Sequence, residues 1–380
     1  MNPSRVFPVA DQFGVYIHIP FCAKRCDYCA FTTFTEYPHL QKAYIDACIK
    51  EVGLADEAGM SSPATSIYIG GGTPSLVDGR DLALLLNAVT KRDGAEITVE
   101  ANPESLTGDF CAALADAGVT RISIGVQSLV PRVLKDLGRP HYRGAVEKAL
   151  ELIAKYNFLT HNVDIIYGAV SETQDDLRET LDGIFSMDPG LSHLSAYALT
   201  VEPGTPLAQE TFRYPDEDRQ AGFYEFIDDY LSDRGLKWYE ISNWAKPGHA
   251  CRHNELYWQG SPYLGIGCAA HGYIKGTRYK NTSSIKRYLK ITADGELSRV
   301  QNDIIGPEER ELELLYLRLR TASGVPEKNL RITEDIADLV SLDSGQYILT
   351  KRGRLLANEV AHRLLAGTET QNFTHASKSP

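Results

Sequence analysis

Apolar residues along this chain fall into two recurring textures. Short β-branched runs occur at residues 15–19, 66–69, 97–100, 121–126, 162–166 and 193–199, each about the length of a strand. Between them, apolar positions recur three and four apart. Leu40, Tyr44, Ala47, Cys48 and Val52 form one such set, and 82–89, 110–117, 145–153 and 177–185 follow the same spacing, that of helices with one buried face. Strand and helix alternate from the first run to about residue 200, so the pattern predicts parallel strands joined by right-handed crossovers. Pattern alone leaves two α/β architectures open, a doubly wound sheet and an incomplete barrel. In both, ligand-binding residues gather at the C-terminal ends of the strands.

The texture changes further on. After a helix at 221–231, residues 237–273 carry all three tryptophans, four tyrosines and three histidines. Such aromatic density usually means packing. From about 305 a small helical unit is predicted: Pro307 opens a helix, Glu308 and Glu309 suit its positive end, and Leu312, Leu315, Tyr316 and Leu319 form its apolar face. A short strand at 347–349 and a last helix at 354–365 complete a small α+β domain with winged-helix-like texture. The reading divides the chain into a core domain over 1–235, an aromatic-rich connecting segment over 236–304, the small domain over 305–366 and an unordered tail over 367–380.

Composition narrows the function. With 380 residues, 43% of them apolar and 23% charged, the chain has core enough for two or three domains. A net charge of -11 argues against nucleic acid or an anionic membrane as the main partner, because binding by counterion release needs basic clusters. Basic residues of the small domain are interleaved with Glu and Asp, which points away from DNA there too. Seven cysteines, an odd number, with neither a signal peptide nor an apolar span of transmembrane length, place the chain in a reducing cytoplasm rather than in a disulfide framework.

Three of those cysteines carry the chemistry. Cys22, Cys26 and Cys29 lie on one loop as C-x3-C-x2-C directly after the first strand. Soft thiolates so spaced can converge on a metal centre. Iron-sulfur clusters normally take four thiolates, so three leave one iron open to a non-protein ligand. A structural zinc site is the alternative. It would need a fourth ligand from Cys48, Cys111, Cys251, Cys268 or a histidine, and no second C-x2-C knuckle is present. Downstream, Gly70-Gly71-Gly72-Thr73-Pro74 closes the second strand, where glycines admit a ligand to the backbone or simply make a tight turn. The third strand ends in Glu100-Ala101-Asn102-Pro103, an acceptor suited to an ammonium or a ribose hydroxyl, or a solvated surface. Tyr16 faces away from Ile17 and Ile19 and can stack on a ligand or pack in a core.

The motif C-x3-C-x2-C, with Tyr28 before its third cysteine and preceded by YIHIPFC, resembles the radical S-adenosylmethionine (SAM) superfamily, and its coproporphyrinogen III oxidase-like group in particular. The resemblance runs on through GGGTP, VEANP, RISIGVQS, DIIYG, EPGTP, YEISN and HNELYW, nearly the whole chain. It implies a partial (β/α)6 barrel and a 4Fe-4S cluster on Cys22, Cys26 and Cys29, with the open iron chelating SAM for reductive cleavage to a 5'-deoxyadenosyl radical. It further implies that Tyr16, Tyr28, Gly71, Gly72, Thr73 and Glu100 serve the cofactors, with Gln127, Arg139 and Asp164 as additional SAM contacts.

Two features choose the branch. The oxidases carry a further cysteine two residues after the third, where this chain has Phe31, and a longer N-terminal extension than the fourteen residues before the first strand here. Phe31 and the HN-x-x-YW motif at His253-Asn254 and Tyr257-Trp258 resemble instead the haem chaperone branch. That branch implies haem as bound cargo, with His253 a candidate ligand, and delivery to respiratory haemoproteins at the membrane. An electron donor for the cluster and a cluster- or haem-dependent homodimer go with it. A coproporphyrinogen oxidase is the alternative.

Overall fold

The computed structural model describes residues 11–139 and 142–364. Six strands lie side by side in sequence order, every neighbouring pair parallel: β1 (Gly14–Ile19), β2 (Ala64–Gly71), β3 (Lys91–Ala101), β4 (Arg121–Gln127), β5 (Thr160–Tyr167) and β6 (His193–Ala198). The order never reverses, so right-handed crossovers put all the connecting helices on one face. A doubly wound sheet requires a reversal and is excluded; the architecture is the partial (β/α)6 barrel. The crossovers are α1 (Gln41–Glu57), α2 (Gly79–Ala88), α3 (Gly108–Asp116), α4 (Pro131–Asp136), α5 (Arg143–Tyr156) and α6 (Gln174–Met187), and α7 (Glu217–Ser232) follows β6.

Period-two alternation divides the strands. Ile17, Ile19, Ile67, Ile69, Val99, Ile124, Ile165 and Leu194 point outward and are buried beneath the helices. Each such side chain contributes roughly 2 kcal/mol. The alternate positions point inward and are almost all polar: Tyr16 and His18, Tyr68, Glu96 and Glu100, Ser123, Asn162 and Asp164, Ser195. Aliphatic packing holds the barrel from outside and leaves its interior for chemistry.

The aromatic-rich segment is part of the same sheet. β7 (Lys237–Glu240) and β8 (Asn243–Ala245) add antiparallel strands beside β6. The chain then crosses through α8 (Arg252–Trp258) to the opposite edge, where β9 (Tyr263–Ile266) pairs in parallel with β1 and β10 (His271–Ile274), β11 (Thr277–Asn281) and β12 (Arg299–Ile304) continue antiparallel, with α9 (Ile285–Ala293) packed alongside. Trp244, Leu264, Ile266 and Tyr288 are buried in the same core as the barrel strands. Sequence pattern did not announce β9, because Gly265 interrupts its short apolar run. That glycine is required, since a Cβ there would strike the carbonyl of His271.

A second core belongs to the C-terminal unit: α10 (Pro307–Leu319), a three-stranded sheet of β13 (Val325–Pro326), β14 (Val340–Asp343) and β15 (Gln346–Leu349), then α11 (Lys351–Leu355) and a helical stretch over 357–364. Leu319, Val325, Ile336, Leu349 and Val360 fill it. The last helix begins earlier than its pattern suggests, because the Thr350 hydroxyl caps the Gly353 N–H, and it breaks at Leu356. On α10 only the last turns reach the core; Leu312 stays 44% exposed. Residue 365 and the tail expected over 367–380 lie outside the described residues.

Candidate functional site

The loop that follows β1 crosses the open C-terminal end of the barrel. Backbone bonds pin it at both sides, Cys22 N–H to the Phe34 carbonyl at 3.0 Å and Asp27 N–H to the Leu137 carbonyl at 3.4 Å. Arg213 clamps it further, donating to the Asp27 carboxylate at 2.8 Å and to the Asp136 carbonyl. Arg25 turns inward to the carbonyl of Cys29 at 3.1 Å. Cys22, Cys26 and Cys29 are all reduced and half-buried.

Strand ends bring the predicted residues to this loop. Thr73 Oγ1 lies 3.7 Å from Cys22 Sγ, and an Arg139 nitrogen lies 3.5 Å from Cys26 Sγ. Asn102 joins the two, accepting from Arg139 at 2.9 Å and donating to Thr73 Oγ1 at 3.2 Å; Arg139 also reaches the Gly125 carbonyl at 2.9 Å. Gly72 lets β2 meet the cysteine loop, donating to the Ile19 carbonyl at 2.8 Å. A Cβ at Gly72 would stand 2.7 Å from the carbonyl oxygens of Ile19 and Phe21, both backbone atoms that cannot give way. Tyr28 packs against Val130, Val133 and Leu137; burial, and then the neighbouring Cys26, push its hydroxyl pKa up.

A second group forms one layer inward. Glu100 accepts from the Gly71 N–H at 3.1 Å and from the Tyr68 hydroxyl at 2.8 Å. Burial, and after it the Asp164 charge, raise its pKa to about 7, so it exchanges a proton near neutrality. Tyr16 stacks on Tyr68 with ring centroids 6.4 Å apart and bonds His18 Nδ1 at 3.0 Å. The other ring nitrogen of His18 lies 2.9 Å from the Thr32 carbonyl, tying this layer back to the cysteine loop. Gly71, with φ +109°, leaves the space the His18 ring occupies. Asp164 accepts from Ser123 at 2.9 Å and Asn162 at 2.7 Å, and burial raises its pKa. Gln127 sits at a register shift between β4 and β5 with φ 65°, and its Oε1 is buried without a hydrogen-bond partner.

His253 lies elsewhere. It is fully buried deeper in the barrel, Nδ1 2.9 Å from Ser66 Oγ and Nε2 2.9 Å from the Tyr257 hydroxyl, and burial pushes its pKa down to about 3. Both ring nitrogens are engaged, so ligation there requires those bonds to open.

Donor chemistry fits an iron-sulfur cluster. Three thiols face a common space from one loop. Among the described residues no three Cys, His, Asp or Glu side chains close on a single ion, but a cubane presents a separate iron to each thiolate. Burial raises the Cys22 and Cys29 thiols; Cys22 further feels the Cys29 and Cys26 sulfurs and Cys29 that of Cys26, a repulsion that bound iron would reverse. Cys48, Cys111, Cys251 and Cys268 are buried in the core, Cys48 beside the Tyr288 hydroxyl and Cys251 beside Glu96, so the loop receives no fourth thiolate from them. The unpartnered Gln127 Oε1 and Arg139 Nε offer further polar contacts. Asn102, His18 and Arg213 were missed as site residues. Asn102 and His18 stand inside the motifs already noted, whereas Arg213 carries no local signal.

The family model of the Radical SAM superfamily matches residues 16–184. Over 94% of its length the chain is 41% identical to "Heme chaperone HemW" of Mycobacterium tuberculosis, covering 96% of that protein. It is 32% identical to the protein of the same description in Escherichia coli, covering 93% of this chain and 98% of that one. Among solved structures it is similar to coproporphyrinogen III oxidase (HemN) of Escherichia coli, a radical SAM enzyme, with a TM-score of 0.78 at 19% identity over 93% of this chain and 91% of that one.

Proposed function

This chain belongs to the radical SAM superfamily and, within it, to the HemW family of haem chaperones, and we propose that it binds haem and hands it to an acceptor haemoprotein. The observation that supports this most is likeness to the chaperones over nearly the full length of both proteins. It is joined by Phe31, a side chain 65% exposed on the cluster loop where the oxidases carry a further cysteine.

In this reading Cys22, Cys26 and Cys29 hold a 4Fe-4S cluster, which when bound supplies one-electron reduction of SAM. The chain's own residues do the positioning. Thr73 and Arg139 donate toward the Cys22 and Cys26 sulfurs, and the Thr73 bond favours the Cys22 thiolate. Asn102 fixes both donors. Gly71, Gly72 and Glu100 offer backbone groups and a carboxylate to an amino acid's ammonium, and Tyr16 offers a ring face. Gln127 and Asp164 supply polar contacts deeper in the barrel.

Respiratory haemoproteins as acceptors, a one-electron donor, a cytoplasmic location and a homodimer belong to the same proposal. No described helix is long and apolar enough to cross a membrane. The test is transfer: protein loaded with haem anaerobically is mixed with an apo-haemoprotein, and the Soret band is followed. Movement of the band to the acceptor's position supports a chaperone; haem that never binds, or never leaves, contradicts it. The oxidase reading has the fold in its favour and Phe31 against it.

A further inference from the structure

Beside the cysteine loop, away from the barrel interior, lies a cavity of about 270 Å³ lined by Lys24, Leu129, Pro131, Leu134, Lys135, Gly138, Arg139, Tyr142 and Arg143. Four of its nine lining residues are cationic and none is acidic, in a chain whose net charge is -11. Among the described residues, the side chains of Lys24, Lys135 and Arg143 make no hydrogen bond or ion pair, whereas Arg132 pairs with Asp176 and Arg213 with Asp27. Arg143 also borders a second cavity that Asp175, Glu179 and Asp182 line; within the present cavity the lining charges are all positive, and like charges repel one another, so such a lining is stabilised by an anion. Leu129, Leu134 and Pro131 give the cavity an apolar wall, and Tyr142 lies 70% exposed at its rim.

We propose that this cavity receives the carboxylate edge of the haem, with Lys24, Lys135 and Arg143 as its counter-charges. The inference rests on the proposed haem-binding reading and deepens it by naming a docking point. Haem is a flat apolar ring with two carboxylates on one edge, and the cavity combines three unpaired cations with an apolar wall and an exposed aromatic ring. Position agrees as well. Lys24 lies on the cysteine loop itself, and Gly138 packs so closely on Asp27 of that loop that a Cβ would stand 2.6 Å from its carboxylate. Cargo docked here would sit against the loop that carries the three thiols, whereas His253 is enclosed.

The test uses reconstituted full-length protein under anaerobic conditions, titrated with haem and with haem dimethyl ester while the Soret band is followed. Lys24→Glu/Lys135→Glu/Arg143→Glu should weaken haem at least tenfold with iron and sulfide content unchanged. The ester should bind the parent protein more weakly than haem does, about as weakly as haem binds a variant with Gln at the three positions. Variants with Gln at the three positions, which remove charge without reversing it, should fall between. Equal haem affinity in parent and charge-reversed protein, or equal affinity of the parent for haem and ester, overturns the proposal while leaving the chaperone reading intact. No haem binding by the parent overturns both. If the variant keeps haem but loses SAM cleavage with an acidic ferredoxin and not with dithionite, the patch is a docking surface for an electron carrier and the haem assignment is wrong.

Discussion

Glu100→Gln separates what this carboxylate costs the fold from what it does for a ligand. Glu100 is held near pKa 7 against an ordinary value of 4.5, chiefly by burial and then by Asp164. The folded state therefore binds its proton more tightly than the unfolded chain does. Below about pH 4.5 the group is protonated in both states and costs nothing. As pH rises from 4.5 to 7 the unfolded chain ionises first and the folded state loses relative stability; above 7 the penalty is constant. The full difference corresponds to about 3 kcal/mol, or about 2 once allowance is made for water reaching the half-buried side chain. Gln keeps both bonds, since its oxygen can accept from Gly71 and its amide can donate to Tyr68. Urea unfolding followed by circular dichroism should show the apo variant more stable than the parent by about 2 kcal/mol at pH 8 and by under about 1 kcal/mol at pH 5. In the reconstituted protein the same change should weaken SAM at least tenfold, because an ammonium loses its charged partner. A stability gap that does not change with pH would refute the reasoning, as would a variant less stable than the parent at pH 8.

Other perturbations test neighbouring parts of the account. Asp164→Asn removes the charge that helps raise Glu100, so the pH-dependent gain from Glu100→Gln should shrink in that background, read in the same melts. Gly72→Ala forces a methyl against two backbone carbonyls; it should cost roughly 1–3 kcal/mol and lower iron incorporation, measured by melting and iron assay. Arg213→Ala unties the cysteine loop from Asp27 and Asp136, and the reconstituted cluster should be lost faster to a chelator, followed at its visible bands. His253→Ala leaves Ser66 and Tyr257 without partners in a closed pocket and should lower apo stability by about 2–4 kcal/mol in urea melts.

How far the sequence reached depends on which interactions define each element. The six barrel strands were legible because each alternates aliphatic and polar residues over its own length, with Ile17 outward and Tyr16 and His18 inward. Their winding was not, since strand order is a relation between distant segments; the uninterrupted 1-2-3-4-5-6 order settles it. β9 escaped because its pairing with β1 is set by close backbone approach at Gly265 rather than by side-chain pattern. The cysteine loop and the strand-end motifs stood out as local signatures, and the structure brings Thr73 and Arg139 to the sulfurs. The Arg213 clamp and the unpaired cations of Lys24, Lys135 and Arg143 could not be read, because each arises from residues far apart in the chain. His253 stood in an aromatic block as a candidate haem ligand. Its burial beneath Tyr68, with ring centroids 5.3 Å apart, is a product of tertiary packing.

The most direct measurement uses one anaerobic sample of reconstituted protein with SAM and dithionite. Haem is titrated by its Soret band, and coproporphyrinogen is then supplied and its products analysed. Stoichiometric haem binding with coproporphyrinogen left intact is the predicted result. Conversion to protoporphyrinogen without tight haem binding would show that Phe31 does not mark a chaperone and that the chain is a decarboxylating oxidase.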